Sequence, residues 1–164
     1  MQKLNELQLA KELIRFPTIT PVDAGVMKFL EKKLKKLGFK TKILEFKEKG
    51  FKPVKNLYAR LGVKEPNLCY AGHLDVVPPG NIKDWTINPF GPSVKKGHLI
   101  GRGANDMKSS IASFVSAVSK FLIKNILLLY LLIYIHSHYV KGKVHVLYIL
   151  YNLVIVVNQY SVLL

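Results

Sequence analysis

The chain has 164 residues, 49% hydrophobic and 10% aromatic, and its 25 lysines and arginines against 10 aspartates and glutamates leave it at +15. Length and apolar content allow one domain with a real core, and a single cysteine, Cys69, excludes an intramolecular disulfide and fits a reducing compartment. The lysines are spread along the chain with acids among them from Glu6 to Glu65, and only three arginines occur, so a solvated lysine-rich surface is expected and no nucleic-acid partner.

The first residues carry an acid at Glu6 and no long apolar run, so no signal peptide is read there and a cytoplasmic location is expected. Over residues 4–16, Leu4, Leu7, Ala10, Leu13 and Ile14 recur at helical spacing until Pro17 stops the pattern. A second helix is predicted with Thr20 as its cap, Pro21 at its first position and Asp23 as a capping-box acid. Val26, Phe29, Leu30, Leu34 and Leu37 form its buried stripe and Gly38 its stop, with Lys32, Lys33, Lys35 and Lys36 mainly opposite. Phe39, Thr41 and Ile43 alternate with lysines as one half-exposed strand, and Leu57, Ala59, Leu61 and Val63 mark another. Residues 68–72 form a third, apolar strand, on which Cys69 is expected as a buried structural thiol.

A long loop opens at Pro78-Pro79-Gly80 and contains Trp85 and Phe90; residues 93–102 then read as a hairpin around Lys95-Lys96-Gly97. The following helix places Ile111, Phe114, Val115, Val118, Phe121 and Leu122 at core spacing. The pattern is that of an α/β fold, a mixed sheet flanked by helices with a site at strand ends.

Two pieces carry the chemistry. In Ala71-Gly72-His73-Leu74-Asp75, extended backbone would put imidazole and carboxylate on one face, as for a metal-binding histidine held by an acid. A lone His-x-Asp is more often a core or turn histidine beside a surface acid. In Gly101-Arg102-Gly103-Ala104-Asn105-Asp106-Met107-Lys108, glycines form a bend and present Asp106 just before a helix, where it can offer a carboxylate to one metal or two.

Together these pieces, with Val76-Val77-Pro78-Pro79-Gly80, Trp85, Asn88-Pro89-Phe90 and Ser110-Ile111-Ala112, resemble the family of two-metal aminoacylases and exopeptidases over roughly residues 4–122. Asn105 and Ser109 depart from the family pattern, which has a small or acidic residue and a glycine there. The resemblance implies the N-terminal half of a metal-dependent amide hydrolase domain. It casts His73 as ligand of one metal, Asp75 as the acid that orients it, and Asp106 as a bridge between two divalent ions, zinc or cobalt. It also implies a small N-acyl amino acid as substrate, and a homodimer whose dimerisation domain is absent here.

All ten acids precede Met107, whereas the family needs an adjacent pair of glutamates, a further acid and a final histidine beyond the last helix. Residues 1–122 are therefore expected to form a partial, truncated and inactive metallohydrolase domain. Residues 123–164 are expected to be an apolar, non-matching tail without a clean period, derived from a frameshift. The alternatives are another aminoacylase or dipeptidase of the family, or a non-enzymatic membrane-associated remnant with segments at 126–140 and 144–164; a membrane partner is not expected.

Overall fold

The computed structural model describes residues 3–63, 67–139 and 152–158. Helix α1 (Glu6–Ile14) is capped by the Asn5 side chain, which accepts from the Gln8 amide, and α2 (Val26–Lys36) runs into Gly38. There the Gly38 and Phe39 amides return to the Lys35 and Leu34 carbonyls at 3.0 and 3.1 Å, and the left-handed conformation at Gly38, φ +92°, closes the end. Strands β1 (Lys40–Phe46), β2 (Val54–Leu61) and β3 (Asn67–His73) follow, then the hairpin β4 (Ser93–Lys95) and β5 (His98–Ile100), the long helix α3 (Ser109–Tyr139) and β6 (Asn152–Asn158).

The sheet order is β1-β2-β6-β3, antiparallel except for the parallel β3–β6 pair. Leu57, Ala59, Ile155 and Val157 point to one side and join Leu13, Met27, Leu30, Leu34, Ile111 and Val115 of the helices in a single core. Tyr70 stacks on Phe114, ring centroids 4.1 Å apart, and ties β3 to α3.

Three expectations are corrected. Thr20 caps no helix: its hydroxyl is taken by Asp75, and α2 begins only at Val26 after Gly25, with Asp23 accepting from the Gly25 and Met27 amides instead. Cys69 is exposed, because it alternates with Tyr70 and so stands on the sheet face turned away from the helices. Phe121 is 50% exposed, since it stands one turn beyond the exposed Ala117 on the outer face of α3, while its neighbour Leu122 still packs on the core.

The segment without a period also has structure. Helix α3 continues to Tyr139, and β6 lies between β2 and β3. An all-apolar strand flanked on both sides has no polar face to alternate with, so periodicity was not there to be found. Of the two membrane segments considered, residues 140 and 144–151 and 159–164 lie outside the described residues, and residues 152–158 form β6. Among the described residues no helix is long and apolar enough to cross a membrane.

A polar clasp binds α1 to α3. Ser116 donates to the Leu4 carbonyl at 2.6 Å and to Glu6 at 3.1 Å, the Leu4 amide donates to Ser119, and Lys120 meets Glu6 at 2.8 Å. The Lys120 ammonium, the Glu6 amide and the Ser116 hydroxyl lower the Glu6 carboxyl from 4.5 to about 2. A carboxyl depressed in the folded state stabilises fully above its unfolded value and loses that contribution as pH falls through its folded value. Thermal melts of wild type and Glu6→Gln should therefore differ at pH 6 and converge between pH 4.5 and about 2. A constant gap across that window would remove Glu6 from the clasp.

Candidate metal centre

Strand β3 ends at His73, and the chain continues through the buried Leu74, Asp75 and Val76 alongside residues 18–20. The Val76 amide bonds the Thr18 carbonyl at 2.9 Å, the Thr20 amide bonds the Val76 carbonyl at 3.2 Å, and the Thr18 hydroxyl donates to the Leu74 carbonyl at 2.5 Å. This pairing holds Asp75, 1% exposed, beneath the imidazole, while Thr20 donates to its Oδ2 at 2.6 Å.

Asp106 comes from the other piece. The bend before it requires glycine twice: a Cβ at Gly101 would stand 2.7 Å from Ile14 Cγ2, and one at Gly103, where φ is +79°, would stand 2.6 Å from Val76 Cγ1. The turn Ala104–Lys108 then leads into α3, with Asp106 and Met107 outside helical geometry and the peptide between them cis.

The three acid and imidazole groups meet. His73 Nε2 lies 3.0 Å from Asp106 Oδ1, and His73 Nδ1 lies 3.0 Å from the Asp75 carbonyl and 3.3 Å from Asp75 Oδ1. The Asp75 carbonyl can only accept, which selects the tautomer with hydrogen on Nδ1, while Asp75 Oδ1 has no hydrogen-bond partner. A neutral imidazole carries one N–H, yet oxygens face both of its nitrogens. With Nδ1 protonated, the Nε2 lone pair faces a carboxylate, an arrangement satisfied by a cation bound to both or by a second proton on the ring.

Ligands at about 2.0–2.1 Å from a divalent ion stand roughly 2.9–3.4 Å apart, which the 3.0 Å separation meets. Asp106 is 81% exposed against 15% for His73, so the centre opens on the Asp106 side. These residues fit part of a divalent donor set. Only part, since among the described residues no group of three or more histidine, cysteine or acidic side chains is placed to hold a metal.

Sequence reasoning missed Lys108. It is fully buried and donates to the Leu13 carbonyl at 3.1 Å and the Phe16 carbonyl at 2.8 Å, pinning the end of α1 to the turn that carries Asp106. Burial lowers its ammonium from 10.5 to about 8, opposed by the Asp75 charge. A lysine two positions after an acid carries no signal of burial; only the carbonyls left open where α1 ends, more than 90 residues earlier in the sequence, create the demand. Trp85, expected as a loop residue, donates to the Pro79 carbonyl at 2.9 Å and lies 5.2 Å beneath the Arg102 guanidinium, which secures the loop to the glycine bend.

The profile of Peptidase family M20/M25/M40 matches residues 69–134. Human carnosine dipeptidase 1 shares the fold with a TM-score of 0.70 at 21% identity, covering 94% of this chain and 31% of that one. An M20 family metallo-carboxypeptidase of Sulfolobus solfataricus does so with a TM-score of 0.69 at 22% identity, covering 97% and 31%. Fold and site together define an α/β domain, helices on a mixed sheet, with the fold of these two solved structures.

In sequence the chain is similar to succinyl-diaminopimelate desuccinylases. The identity is 71% over 125 residues to that of Pelagibacter ubique, covering 76% of this chain and 33% of the relative. It is 50% over 119 residues to that of Rhodospirillum centenum, covering 73% and 31%. The chain thus spans about a third of the length of the curated relatives it matches.

Proposed function

We propose that this chain supplies the N-terminal, metal-binding part of a desuccinylase that hydrolyses N-succinyl-LL-2,6-diaminopimelate to succinate and LL-2,6-diaminopimelate in the cytoplasm. The observation that carries the reading is the His73–Asp106 pair, 3.0 Å apart, with Asp75 buried behind the imidazole. His73 Nε2 and Asp106 serve as metal ligands. Asp75 and the Asp75 carbonyl hold the ring in one tautomer, with Thr20 holding the Asp75 carboxylate in turn.

Zinc or cobalt bound there would polarise the amide carbonyl and make water a usable nucleophile at neutral pH. His73 and Asp106 make only two direct ligands, where a catalytic zinc normally has three from protein, and no described carboxylate beyond these stands ready as a general base. The chain by itself therefore binds metal weakly and turns over no substrate. Residues 1–122 form the recognised part, and of the residues beyond it 152–158 complete the sheet as β6.

Calorimetric titration with Zn²⁺ and Co²⁺ tests this. Weak binding near stoichiometric should fall at least tenfold in His73→Ala and in Asp106→Asn, and by less in Asp75→Asn. Binding indifferent to both His73 and Asp106 sinks the assignment, and so does succinyl-diaminopimelate hydrolysis by the isolated chain.

A further inference from the structure

Asp106 is largely exposed, so no packing around its side chain sets where the carboxylate stands. Its place 3.0 Å from His73 Nε2 is decided by the backbone of the turn that carries it. That turn closes on itself: the Ala104 amide bonds the Gly101 carbonyl at 3.1 Å, and the Lys108 amide bonds the Gly103 carbonyl at 3.0 Å. Lys108 anchors its far end to α1. Arg102, four residues before Asp106, anchors the near end.

Arg102 is held at two points. Its amide donates to the Pro89 carbonyl at 2.7 Å, and its guanidinium lies 5.2 Å from the centre of the Trp85 ring. Arg102 Nε is buried without a hydrogen-bond partner, so the ring face is what compensates the cation for the water lost at that nitrogen. Trp85 in turn is tied to the other side of the centre. It follows a short helical turn, Ile82–Asp84, and its Nε1 donates to the Pro79 carbonyl at 2.9 Å. Pro79 is four residues beyond Asp75, and the chain between them is fixed at Val76 by its pairing with Thr18 and Thr20. From Asp106 back to Arg102, across to Trp85 and through Pro79 to Asp75, the contacts form a circuit whose gap is the His73–Asp106 pair.

We propose that Arg102 and Trp85 are positioning residues: their stack holds the turn bearing Asp106 against the segment that leaves His73 and Asp75. This rests on the proposed function for the metal and adds what keeps the two ligands at binding distance. A stack that holds ligands together for a cation is itself tightened when the cation binds, because coupling between two sites is reciprocal.

Trp85 is the only tryptophan of the chain, so its fluorescence reports on the stack alone. In the full wild-type chain, saturating Zn²⁺ should slow acrylamide quenching of Trp85, and in Asp106→Asn it should not. By calorimetry, Zn²⁺ affinity should fall about fivefold or more in Arg102→Met, which keeps the stem, and in Trp85→Leu, and by less in Arg102→Lys, which keeps a cation for the ring. The double variant should bind no more weakly than the worse single one, since removing either partner already breaks the stack.

Trp85 quenching that ignores bound Zn²⁺ overturns the proposal even where the variants fail to fold. Single-variant affinities equal to wild type overturn it too, as do losses that add in the double variant, which would make the two residues independent. If the wild-type chain binds no Zn²⁺, the proposed function falls, and amide exchange in the metal-free chain decides the stack. Faster exchange at Ala104 and Lys108 in Arg102→Met then upholds its hold on the turn, and unchanged exchange overturns it.

Discussion

Ile155→Asp is expected to destabilise the fold by at least about 4 kcal/mol, because a carboxylate would replace a side chain sealed between sheet and helices with no partner for its charge. Ile155 is 0% exposed and sits on β6 opposite Ala59 of β2 and Tyr70 of β3. A small domain holds only about 5–15 kcal/mol in total, so the variant either unfolds or expels β6. Urea unfolding measures the first and amide exchange on β2 the second, since β2 amides facing β6 lose protection when the strand leaves. Ile155→Val should cost only about 1 kcal/mol. Equal urea midpoints for Ile155→Asp and wild type would show residues 152–158 to be a passenger on the fold, as the frameshift reading of the tail implies.

Lys108→Ala is expected to cost about 2–4 kcal/mol. The ammonium serves two carbonyls, of Leu13 and Phe16, and each buried acceptor left alone costs about 1–3 kcal/mol, partly offset by relief of the burial penalty on the charge. The aliphatic stem also fills space beside Gly103, so Lys108→Met should recover the packing share and not the hydrogen bonds.

The pH dependence separates this role from packing alone. A lysine whose folded value of about 8 lies below its unfolded 10.5 holds its proton less readily when folded, so the unfolded chain binds more protons between those values. Wild-type stability should therefore rise from pH 8 to 10.5 relative to Lys108→Met, by up to about 3 kcal/mol. A difference that stays flat across that window would show the lysine to be neutral or solvated. Both variants should also weaken metal binding less than Asp106→Asn, because they loosen the turn without removing a ligand.

Residue pattern by itself determined most of the local elements and which side chains meet at the end of β3. The stripe of Val26, Leu30, Leu34 and Leu37, the alternation at Leu57 and Ala59 and the hairpin at residues 93–102 depend on neighbours a few positions away, and all are present. His73, Asp75 and Asp106 were legible because the bend glycines and the His-x-Asp spacing are short-range signals, and the structure brings the three side chains together. Tertiary structure decided whatever depends on which face is covered. Thr20 abandoned a helix cap for Asp75, 55 residues away, and Lys108 was buried by carbonyls more than 90 residues earlier. Cys69 turned outward because the helices chose the other side of β3. The segment 152–158, featureless in pattern, became the central strand because a gap between β2 and β3 accepts any extended apolar run, and pairing across that gap is a property of the assembled sheet.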